Sequence, residues 1–324
     1  MDLFESLTAK VSGKQIKIVF PEGAEARVLG AAVRLQHDNL LHSIVLGDPA
    51  EIEKVATAHN FDLADVEIIN PATAANFDDL VTAFVERRKG KNTAEQAQKM
   101  LRDPNYFGTM LVYTGLADGM VSGAVHPTGD TVRPALQIIK TKPGVSRTSG
   151  AFIMQKGEQR YLFADCAINI DPSAEELAEI AISSAKTAEL FDIEPRVAML
   201  SFSTKGSAKG DAVTKVQEAT KLAQASAPAY QIDGELQFDA AFVPAVAQQK
   251  APGSRVAGNA TVFVFPELQS GNIGYKIAQR FGGFEAIGPI LQGLNKPVSD
   301  LSRGASEEDV YKLAIITAVQ TLLD

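Results

Sequence analysis

The chain has 324 residues, a formal net charge of −8 at pH 7, 45% apolar residues and 22% charged residues. These proportions are typical of a globular protein and exclude a chain dominated by disorder. The negative charge argues against broad binding to nucleic acid. The N-terminal stretch MDLFESLTAK is acidic and lacks an apolar core, so no signal peptide is predicted. No apolar run reaches the roughly 20 residues that span a bilayer, and a cytoplasmic location without membrane contact is expected.

Short apolar strands alternate with amphipathic helices along the chain. Each strand is nearly continuously apolar, as in strands covered on both faces of a parallel sheet. The predicted strands are Ile16–Phe20, Ser43–Leu46, Val66–Ile69, Gly119–Ser122, Tyr161–Ala164, Arg196–Ser201 and Thr261–Phe265. The predicted helices include one from near Phe77, one with a capping box at Ser173–Glu176, and a last one at Glu307–Leu323. The alternation predicts an α/β fold with mainly parallel sheets.

Two stretches that contain glycine and proline, Thr141–Gly150 and Leu294–Gly304, are the best candidates for domain boundaries. They predict two three-layer α/β domains. One comprises residues 1–145 plus 298–324, with the last helix packed back onto it, and the other comprises residues 146–297. Both boundary loops are then expected at an inter-domain cleft, where ligand pockets tend to form.

Several common site types lack a signature in the sequence. The single cysteine, Cys166, excludes an intrachain disulfide, and its apolar neighbours predict a buried thiol rather than a nucleophile. The four histidines show no metal-ligand spacing, so no metal site is predicted. Neither a P-loop nor a GxGxxG turn is present, which disfavours standard ATP- or NAD-dependent enzymes, including a two-domain dehydrogenase. The glycine-rich segment Ser203–Gly210 is either a simple turn or a phosphate-binding loop.

The segment Asp118–Ile139 concentrates polar residues after a predicted strand. The strand ends at Ser122, and we expect Arg133 to open a helix. A cation at a helix start is unfavourable unless an anion binds there. An ion pair between Arg133 and Asp130 explains the same pattern equally well. His126, in the intervening loop, is interpreted as a loop residue rather than a catalyst.

The segment Leu301–Asp309 brings two donors and one acceptor to the start of the last helix. Ser302 and Arg303 lie in a tight loop, and Asp309 lies in the first helical turn. The alternative is structural, because the spacing of Ser306 and Asp309 also fits a capping pattern.

Two further segments carry candidate ligand contacts. Asn272, Tyr275 and Lys276 follow a strand and a turn, and they either face a ligand or form an exposed polar helix face. Arg87–Lys91 ends a helix, where cations are favourable, and it is also the densest cationic cluster of the chain.

Taken in order, these segments resemble the phosphate acetyltransferase family over essentially the whole chain. The motifs that carry the resemblance are VFPEG, SGAVHPTGDTVRPALQIIKT, LFADCAINIDPS, AMLSFSTKGSAKG, IDGELQFDAAFVPAVA, KAPGSRVAGNATVFVFPELQSGNIGYKIAQR and GPILQGLNKPVSDLSRGAS. The resemblance implies two α/β domains with a cleft, a homodimer and a role in acetate metabolism. It also implies reversible acetyl transfer between coenzyme A and inorganic phosphate in a ternary complex without an acyl-enzyme. The implied ligands are acetyl-CoA, CoA, phosphate and acetyl phosphate, with no permanently bound cofactor.

The resemblance also implies residue roles. The family motif Ser-Arg-Gly-x-Ser-x-x-Asp is matched by Ser302, Arg303, Gly304, Ser306 and Asp309. By the resemblance, Asp309 is the base for the CoA thiol, Ser302 assists it, and Arg303 binds the phosphoryl or carbonyl oxygen. Ala305 stands where some relatives have a cysteine, which a direct attack does not require.

Further substrate contacts follow from the same resemblance or from the polar segments above. Arg133 is implied to be an anion ligand, and Arg87 is implied to bind CoA, with Arg88 as the alternative. The other candidate substrate contacts are Ser122, Asn272, Tyr275 and Lys276.

Two alternatives to acetyl transfer remain. A related phosphate butyryl- or propionyltransferase has the same motifs, because the sequence does not reveal the size of the acyl pocket. A non-catalytic acetyl-CoA-sensing module, the role of this fold when fused to malic enzymes, is opposed by the intact set of Ser302, Arg303 and Asp309.

Overall fold

The computed structural model describes residues 3–323. They form two compact units, one of residues 3–142 with 294–323 and the other of residues 143–293. Each unit contains one β-sheet with flanking helices. The α/β class predicted from the sequence is therefore confirmed, whereas the domain limits after residues 145 and 297 stay a prediction.

The seven predicted strands are all present, with ends that differ from the prediction by at most two residues. The strands are β1 Lys17–Phe20, β2 His42–Leu46, β3 Glu67–Ile69, β4 Gly119–Ser122, β5 Ser149–Lys156, β6 Gln159–Ala164, β7 Arg196–Leu200, β8 Gln231–Leu236, β9 Val262–Val264, β10 Glu285–Gln292 and β11 Val298–Asp300. The sequence prediction missed β5, β8, β10 and β11.

The predicted helices are also present, and the side chain of Ser173 caps its helix by accepting a hydrogen bond from the backbone of Glu176. The helices are α1 Leu3–Val11, α2 Ala26–His37, α3 Pro49–His59, α4 Phe77–Arg88, α5 Ala94–Met100, α6 Pro104–Tyr113, α7 Thr128–Pro134, α8 Ala174–Leu190, α9 Asp211–Ser226, α10 Phe238–Phe242, α11 Pro244–Lys250, α12 Leu268–Arg280 and α13 Glu307–Gln320. A π-helix, Ala135–Ile139, continues α7, and a 3₁₀ turn, Thr321–Leu323, follows α13.

The sheet of the first unit is fully parallel, with strand order β11-β4-β1-β2-β3. The carboxyl ends of parallel strands meet at one edge of a sheet, so the segments that follow β1, β4 and β11 are neighbours. The chain winds from β1 to β2 on one side and returns to β4 on the other. Such a change of direction is where open α/β sheets bind ligands.

The sheet of the second unit has strand order β10-β5-β6-β9-β7-β8. Strands β6, β9, β7 and β8 are parallel, whereas β5 pairs antiparallel with both β6 and β10. The thiol of Cys166 is fully buried beside this sheet, as predicted. Burial raises the pKa of this thiol well above its usual value, which makes it inert.

The last helix, α13, belongs to the first unit and is buried along most of its length, from Leu313 to Gln320. Its Thr317 hydroxyl lies 2.7 Å from that of Ser299 in β11. Burial of each large apolar side chain contributes about 1.5–3 kcal/mol, so this helix is anchored firmly. Among residues 3–323, none of the helices combines the length and apolar character that a membrane span requires.

Candidate active site

Three loops meet at the carboxyl edge of the first unit's sheet. They follow β1 (residues 21–25), β4 (residues 123–127) and β11 (residues 301–306). The backbone N–H of Leu301 donates to the carbonyl of Ser122 at 2.7 Å, which joins the second loop to the third. Of the residues predicted from the sequence, Ser302 and Arg303 lie in the third loop, and Arg133 lies in α7, the helix that follows the second loop.

Glu22 organises the loop after β4. Its carboxylate is buried and accepts hydrogen bonds from the backbone N–H groups of the four consecutive residues 123–126, at 2.8–3.0 Å. The Nδ1 atom of His126 lies 2.6 Å from the same carboxylate. Hydrogen bonds to an ionised carboxylate are stronger than neutral ones, so one side chain holds the loop in shape. This role of Glu22 was not predicted from the sequence, in which its only signal is its place in the VFPEG motif.

Arg27 connects the same loop to the one after β11. Its Nη1 donates to the carbonyl oxygens of Arg303 (3.0 Å) and Ala305 (2.6 Å), and its Nη2 donates to that of Ala124 (3.1 Å). Its Nε pairs with Glu25 at 2.8 Å. The planar guanidinium thus holds the backbone at Arg303 and two residues after it. No sequence pattern predicts this role, because the partners lie up to 278 positions away.

Arg303 and Arg133 are both exposed. No hydrogen bond of the Arg303 guanidinium is seen among residues 3–323. The Arg133 side chain is 62% exposed, and its closest acidic partner, Asp130, lies 3.8 Å away. An exposed pair of this kind contributes little. Both guanidinium groups therefore remain available to an anion.

The expected position of Arg133 at a helix start is wrong. Helix α7 begins at Thr128, so Arg133 lies in its last turn, and the π-helix Ala135–Ile139 then continues the helical segment. Pro134, a residue typical of a first helical turn, instead lies inside the helix. The helix dipole therefore gives no argument for an anion here, and the argument rests on the exposure of the guanidinium.

Asp309 forms the capping box that the sequence offered as an alternative. Its Oδ2 accepts hydrogen bonds from the backbone N–H and the hydroxyl of Ser306, both at 2.8 Å. In return, Ser306 Oγ accepts from the Asp309 N–H at 3.2 Å. The Asp309 residue is exposed, and Oδ1 makes none of these bonds. The exposed Ser302 hydroxyl accepts only a long bond of 3.3 Å from the Gly304 N–H.

Arg87 supports the π-helix from the side. Its Nε and Nη2 donate to the carbonyls of Ile138 (2.6 Å) and Ile139 (3.0 Å), and its guanidinium lies 4.9 Å from the Tyr113 ring centroid. Arg88 donates to the side chain of Asn92 at 3.0 Å. Arg87 therefore has a structural function in addition to its implied contact with CoA.

Cations cluster around Arg87. The neighbouring charge of Arg87, followed by desolvation and by the charges of Lys89, Lys91 and Arg88, lowers the pKa of Lys140. The mutual repulsion of these groups favours an anion nearby. We call residues 87–91 with Lys140 the basic cluster.

The other predicted contacts are one residue of the first unit and three of the second. Ser122, at the end of β4, is fully buried, and its hydroxyl donates to Asn105 Oδ1 at 2.7 Å. Asn272, Tyr275 and Lys276 belong to α12 in the second unit.

The three residues of α12 make contacts within their own unit. Asn272 donates to the Cys166 carbonyl at 3.1 Å, and Lys276 donates to Asn272 Oδ1 at 2.7 Å. The Tyr275 ring stacks on Phe152 with centroids 4.1 Å apart.

The glycine-rich loop Ser203–Gly210 is a turn satisfied by its own side chains. The Gly206 N–H donates to Glu235 Oε1 at 2.7 Å, and the Ala208 N–H donates to Ser203 Oγ at 3.0 Å. Since these N–H groups have partners, the turn interpretation describes the loop better than phosphate binding.

Asp300, at the end of β11, is a buried carboxyl beneath the site that the sequence analysis did not single out. Burial, partly offset by the hydroxyls of Thr128 and Thr131 and reinforced by the charge of Glu22, raises its pKa from 3.8 to about 6. The Oδ1 atom lies so close to Gly123 that a Cβ at that glycine would be 2.5 Å from it. Perturbed carboxyls of this kind are common at functional sites.

This raised pKa predicts a pH-dependent effect of Asp300→Asn on stability. The contribution of the carboxyl to stability is fully present below its unfolded pKa of 3.8 and is lost as the pH rises through about 6. At pH 8 the isosteric neutral amide is therefore expected to raise the free energy of unfolding by about 1–3 kcal/mol. Urea unfolding of both proteins at pH 8 and pH 5 measures the difference, which should shrink at pH 5. A difference independent of pH would contradict the assignment.

An open parallel sheet with exposed arginines at its carboxyl edge is typical of α/β enzymes that act on anionic substrates. Comparison with known proteins identifies the family. The model of the phosphate acetyl/butaryl transferase family matches residues 2–318, and the chain belongs to this family.

Individual relatives agree with this membership. The chain is 64% identical to the phosphate acetyltransferase of Bacillus subtilis (strain 168) over 321 residues, or 99% of each chain. A solved phosphotransacetylase from Streptococcus pyogenes is 64% identical, with a TM-score of 0.98 over 99% of this chain and 98% of that one. The EutD phosphotransacetylase structure from Staphylococcus aureus is 62% identical, with a TM-score of 0.95 and the same coverage.

Proposed function

We propose that this chain is a phosphate acetyltransferase, an acyltransferase that reversibly converts acetyl-CoA and inorganic phosphate to acetyl phosphate and CoA. The observation that carries the proposal is the pair of exposed guanidinium groups of Arg133 and Arg303 at the carboxyl edge of one sheet. They occur in a chain that is 64% identical to a phosphate acetyltransferase over 99% of both lengths.

The arginines perform the electrostatic part of the reaction. Phosphate and acetyl phosphate are multiply charged, so they need cations to approach CoA, which is also an anion. Arg133 binds the phosphate, and Arg303 stabilises the oxyanion that develops on the acetyl carbonyl. Each well-placed donor of this kind contributes about 3–4 kcal/mol to transition-state stabilisation.

Asp309 is proposed as the base that takes the proton from the CoA thiol, with assistance from Ser302. A thiol with a pKa of about 8.5 is mostly protonated at neutral pH, so a nearby acceptor increases the reactive thiolate. The Oδ1 atom of Asp309 is the atom for this task, since Oδ2 is held by Ser306. The sulfur then attacks the acetyl carbon of acetyl phosphate directly in a ternary complex.

The basic cluster is proposed to bind the phosphate groups of CoA, with Arg87 as its main contact. The remaining proposed substrate contacts are Ser122, Asn272, Tyr275 and Lys276. Ser122, Asn272 and Lys276 already hydrogen-bond to Asn105, Cys166 or each other. Tyr275 stacks on Phe152. We therefore propose secondary roles for these four residues.

Arg87→Ala is expected to raise the KM for CoA about tenfold, which corresponds to about 1.4 kcal/mol of lost binding free energy. The KM for acetyl phosphate should change by less than twofold. The reason is that Arg87 belongs to the basic cluster, in which its charge is the largest cause of the lowered pKa of Lys140. Initial-rate kinetics with each substrate varied in turn measure both constants. Arg88→Ala tests the alternative contact, and a larger rise in its KM for CoA than in that of Arg87→Ala would assign the contact to Arg88. An unchanged KM for CoA in Arg87→Ala would limit Arg87 to its bonds with the π-helix.

We further propose that the enzyme has two domains and forms a cytoplasmic homodimer that holds no permanent cofactor. The proposed limits are residues 1–145 plus 298–324 for the first domain and residues 146–297 for the second.

The family description names both acetyl and butaryl transfer, so a longer-chain phosphate acyltransferase is the second candidate. The deciding experiment follows formation of acyl phosphate, trapped as the hydroxamate, from phosphate and acetyl-, propionyl- or butyryl-CoA. We expect the highest kcat/KM with acetyl-CoA. A preference for butyryl-CoA would support the second candidate, and CoA binding without any acyl phosphate would indicate a sensing module.

A further inference from the structure

The ring of His126 is held in one orientation by a buried carboxylate. Its Nδ1 lies 2.6 Å from Glu22 Oε1, and the Glu22 side chain is 1% exposed. The same carboxylate accepts four backbone hydrogen bonds, as an ionised group does, and an ionised carboxylate only accepts. Nδ1 must therefore carry the hydrogen in the bond with Glu22. In the neutral imidazole the free lone pair is then on Nε2.

The second ring nitrogen, Nε2, is not engaged by Glu22. The two nitrogens are separated by Cε1 and their bonding directions diverge, so Nε2 does not point at Glu22 when Nδ1 does. The His126 side chain is 29% exposed, and no hydrogen bond of its Nε2 is seen within residues 3–323. A carboxylate that fixes the ring and leaves the outer nitrogen free is the arrangement that prepares histidine for proton transfer.

The bond between Glu22 and His126 is not needed to shape the loop. Four backbone N–H groups, from residues 123–126, already hold that loop to Glu22. The fifth bond orients the imidazole instead.

The loop that carries His126 lies at the same sheet edge as the segments that carry the proposed phosphate ligands. The loop that carries it shares the guanidinium of Arg27 with the loop of Arg303, through the carbonyls of Ala124 and Arg303. Arg133 follows in the helix that the His126 loop leads into. The imidazole thus stands at the same sheet edge as the two exposed cations.

We propose that His126, oriented by Glu22, is a catalytic residue that carries the proton of the phosphate group. This inference rests on the proposed acetyl transfer. When CoA reacts with acetyl phosphate, Asp309 takes the thiol proton and the sulfur forms its bond to the acetyl carbon. The bond from that carbon to the phosphate oxygen breaks, and Nε2 of protonated His126 gives its proton to this oxygen.

The proton transfer matters because phosphate would otherwise leave as a strongly basic trianion. It leaves instead as hydrogen phosphate, while Asp309 loses one proton to solvent and His126 regains one. Atoms and charges therefore balance over the cycle. In the opposite direction, neutral His126 takes the proton from hydrogen phosphate as it attacks acetyl-CoA.

The test uses His126→Asn and His126→Ala in the full chain. The asparagine amide can still donate to Glu22 in place of Nδ1, but it has no group to replace Nε2. Both variants are expected to lose about 10²-fold or more in kcat, as for loss of a general acid–base group, with both KM values within threefold. Added imidazole is expected to raise the kcat of His126→Ala at least tenfold.

His42→Ala is the matched control. His42 lies away from the site, and its Nε2 is 2.9 Å from the carboxylate of Glu67. The kcat of this variant should equal that of wild type, and added imidazole should not change it.

Three results would overturn the proposal. The first is a kcat of His126→Asn within threefold of wild type, since the bond to Glu22 would then suffice. The second is a loss in His126→Ala that imidazole does not restore, accompanied by a lower melting temperature, which indicates a structural role. The third is a wild-type chain that forms no acetyl phosphate. This result would contradict the proposed function itself, and it differs from the first two because it is seen in the unsubstituted protein.

Discussion

Replacement of Arg303 by alanine is expected to lower kcat by about 10²–10³-fold while the KM for CoA changes by less than threefold. The Arg303 guanidinium is exposed and has no partner among residues 3–323, and Arg27 holds the backbone carbonyls of Arg303 and Ala305. Such a preorganised cation acts mainly on charge that develops in the transition state, so its loss appears in kcat. Steady-state rates of acetyl-CoA formation from acetyl phosphate and CoA measure the effect.

Two further variants sharpen this expectation. Arg303→Lys keeps the charge but lacks the planar, two-pronged donor, so it should recover only part of the lost rate. Arg102→Ala removes an arginine that lies over the Phe77 ring, with 5.7 Å to the centroid, and should leave kcat unchanged. If Arg303→Ala raises only the KM for acetyl phosphate, Arg303 contributes ground-state binding and the proposed oxyanion contact is wrong.

Asp309 is the second residue for which a large effect is expected. Asp309→Asn should lower kcat by about 10²-fold or more, because the amide cannot accept the thiol proton. The same amide oxygen can still accept the bonds from Ser306, so the free energy of unfolding should fall by less than about 1 kcal/mol. Turnover and urea unfolding of the same preparation separate catalysis from capping.

Ser306→Ala provides the matched control for Asp309. It removes the hydroxyl that caps the backbone of Asp309 but keeps the carboxylate. It should therefore destabilise the protein by about 0.5–2 kcal/mol with little change in kcat. Near-normal turnover of Asp309→Asn would show that the capping box is the whole function of Asp309.

The regular parts of this fold could be predicted from the sequence because their signals are local. Strands such as β1 and β4 are short, apolar and followed by helical patterns, and the Ser173 capping box is complete within four residues. In contrast, β11 was not predicted. It consists of only three residues, Val298–Asp300, within a stretch that was interpreted as a boundary loop. A three-residue strand with two polar positions has no periodicity that separates it from a loop.

The supporting residues of the candidate site could not be predicted, because their partners are distant in the chain. Glu22 holds a loop more than 100 positions away, and Arg27 bonds to carbonyls 97 to 278 positions away. Backbone carbonyls have no signature in a sequence, so a guanidinium that binds three of them looks like any surface arginine. The elements that carry Arg303 and Asp309 were recognisable from their own motif, whereas the side chains that fix their geometry were not.

Release of free CoA thiol from acetyl-CoA, with and without inorganic phosphate, tests the central proposal most directly. Direct transfer predicts thiol release that saturates with phosphate, is negligible without it, and falls by at least 10²-fold in Arg303→Ala. Release at the same rate without phosphate would indicate hydrolysis of the thioester. The exposed arginines at the sheet edge would then have a function other than bringing phosphate to the acetyl group.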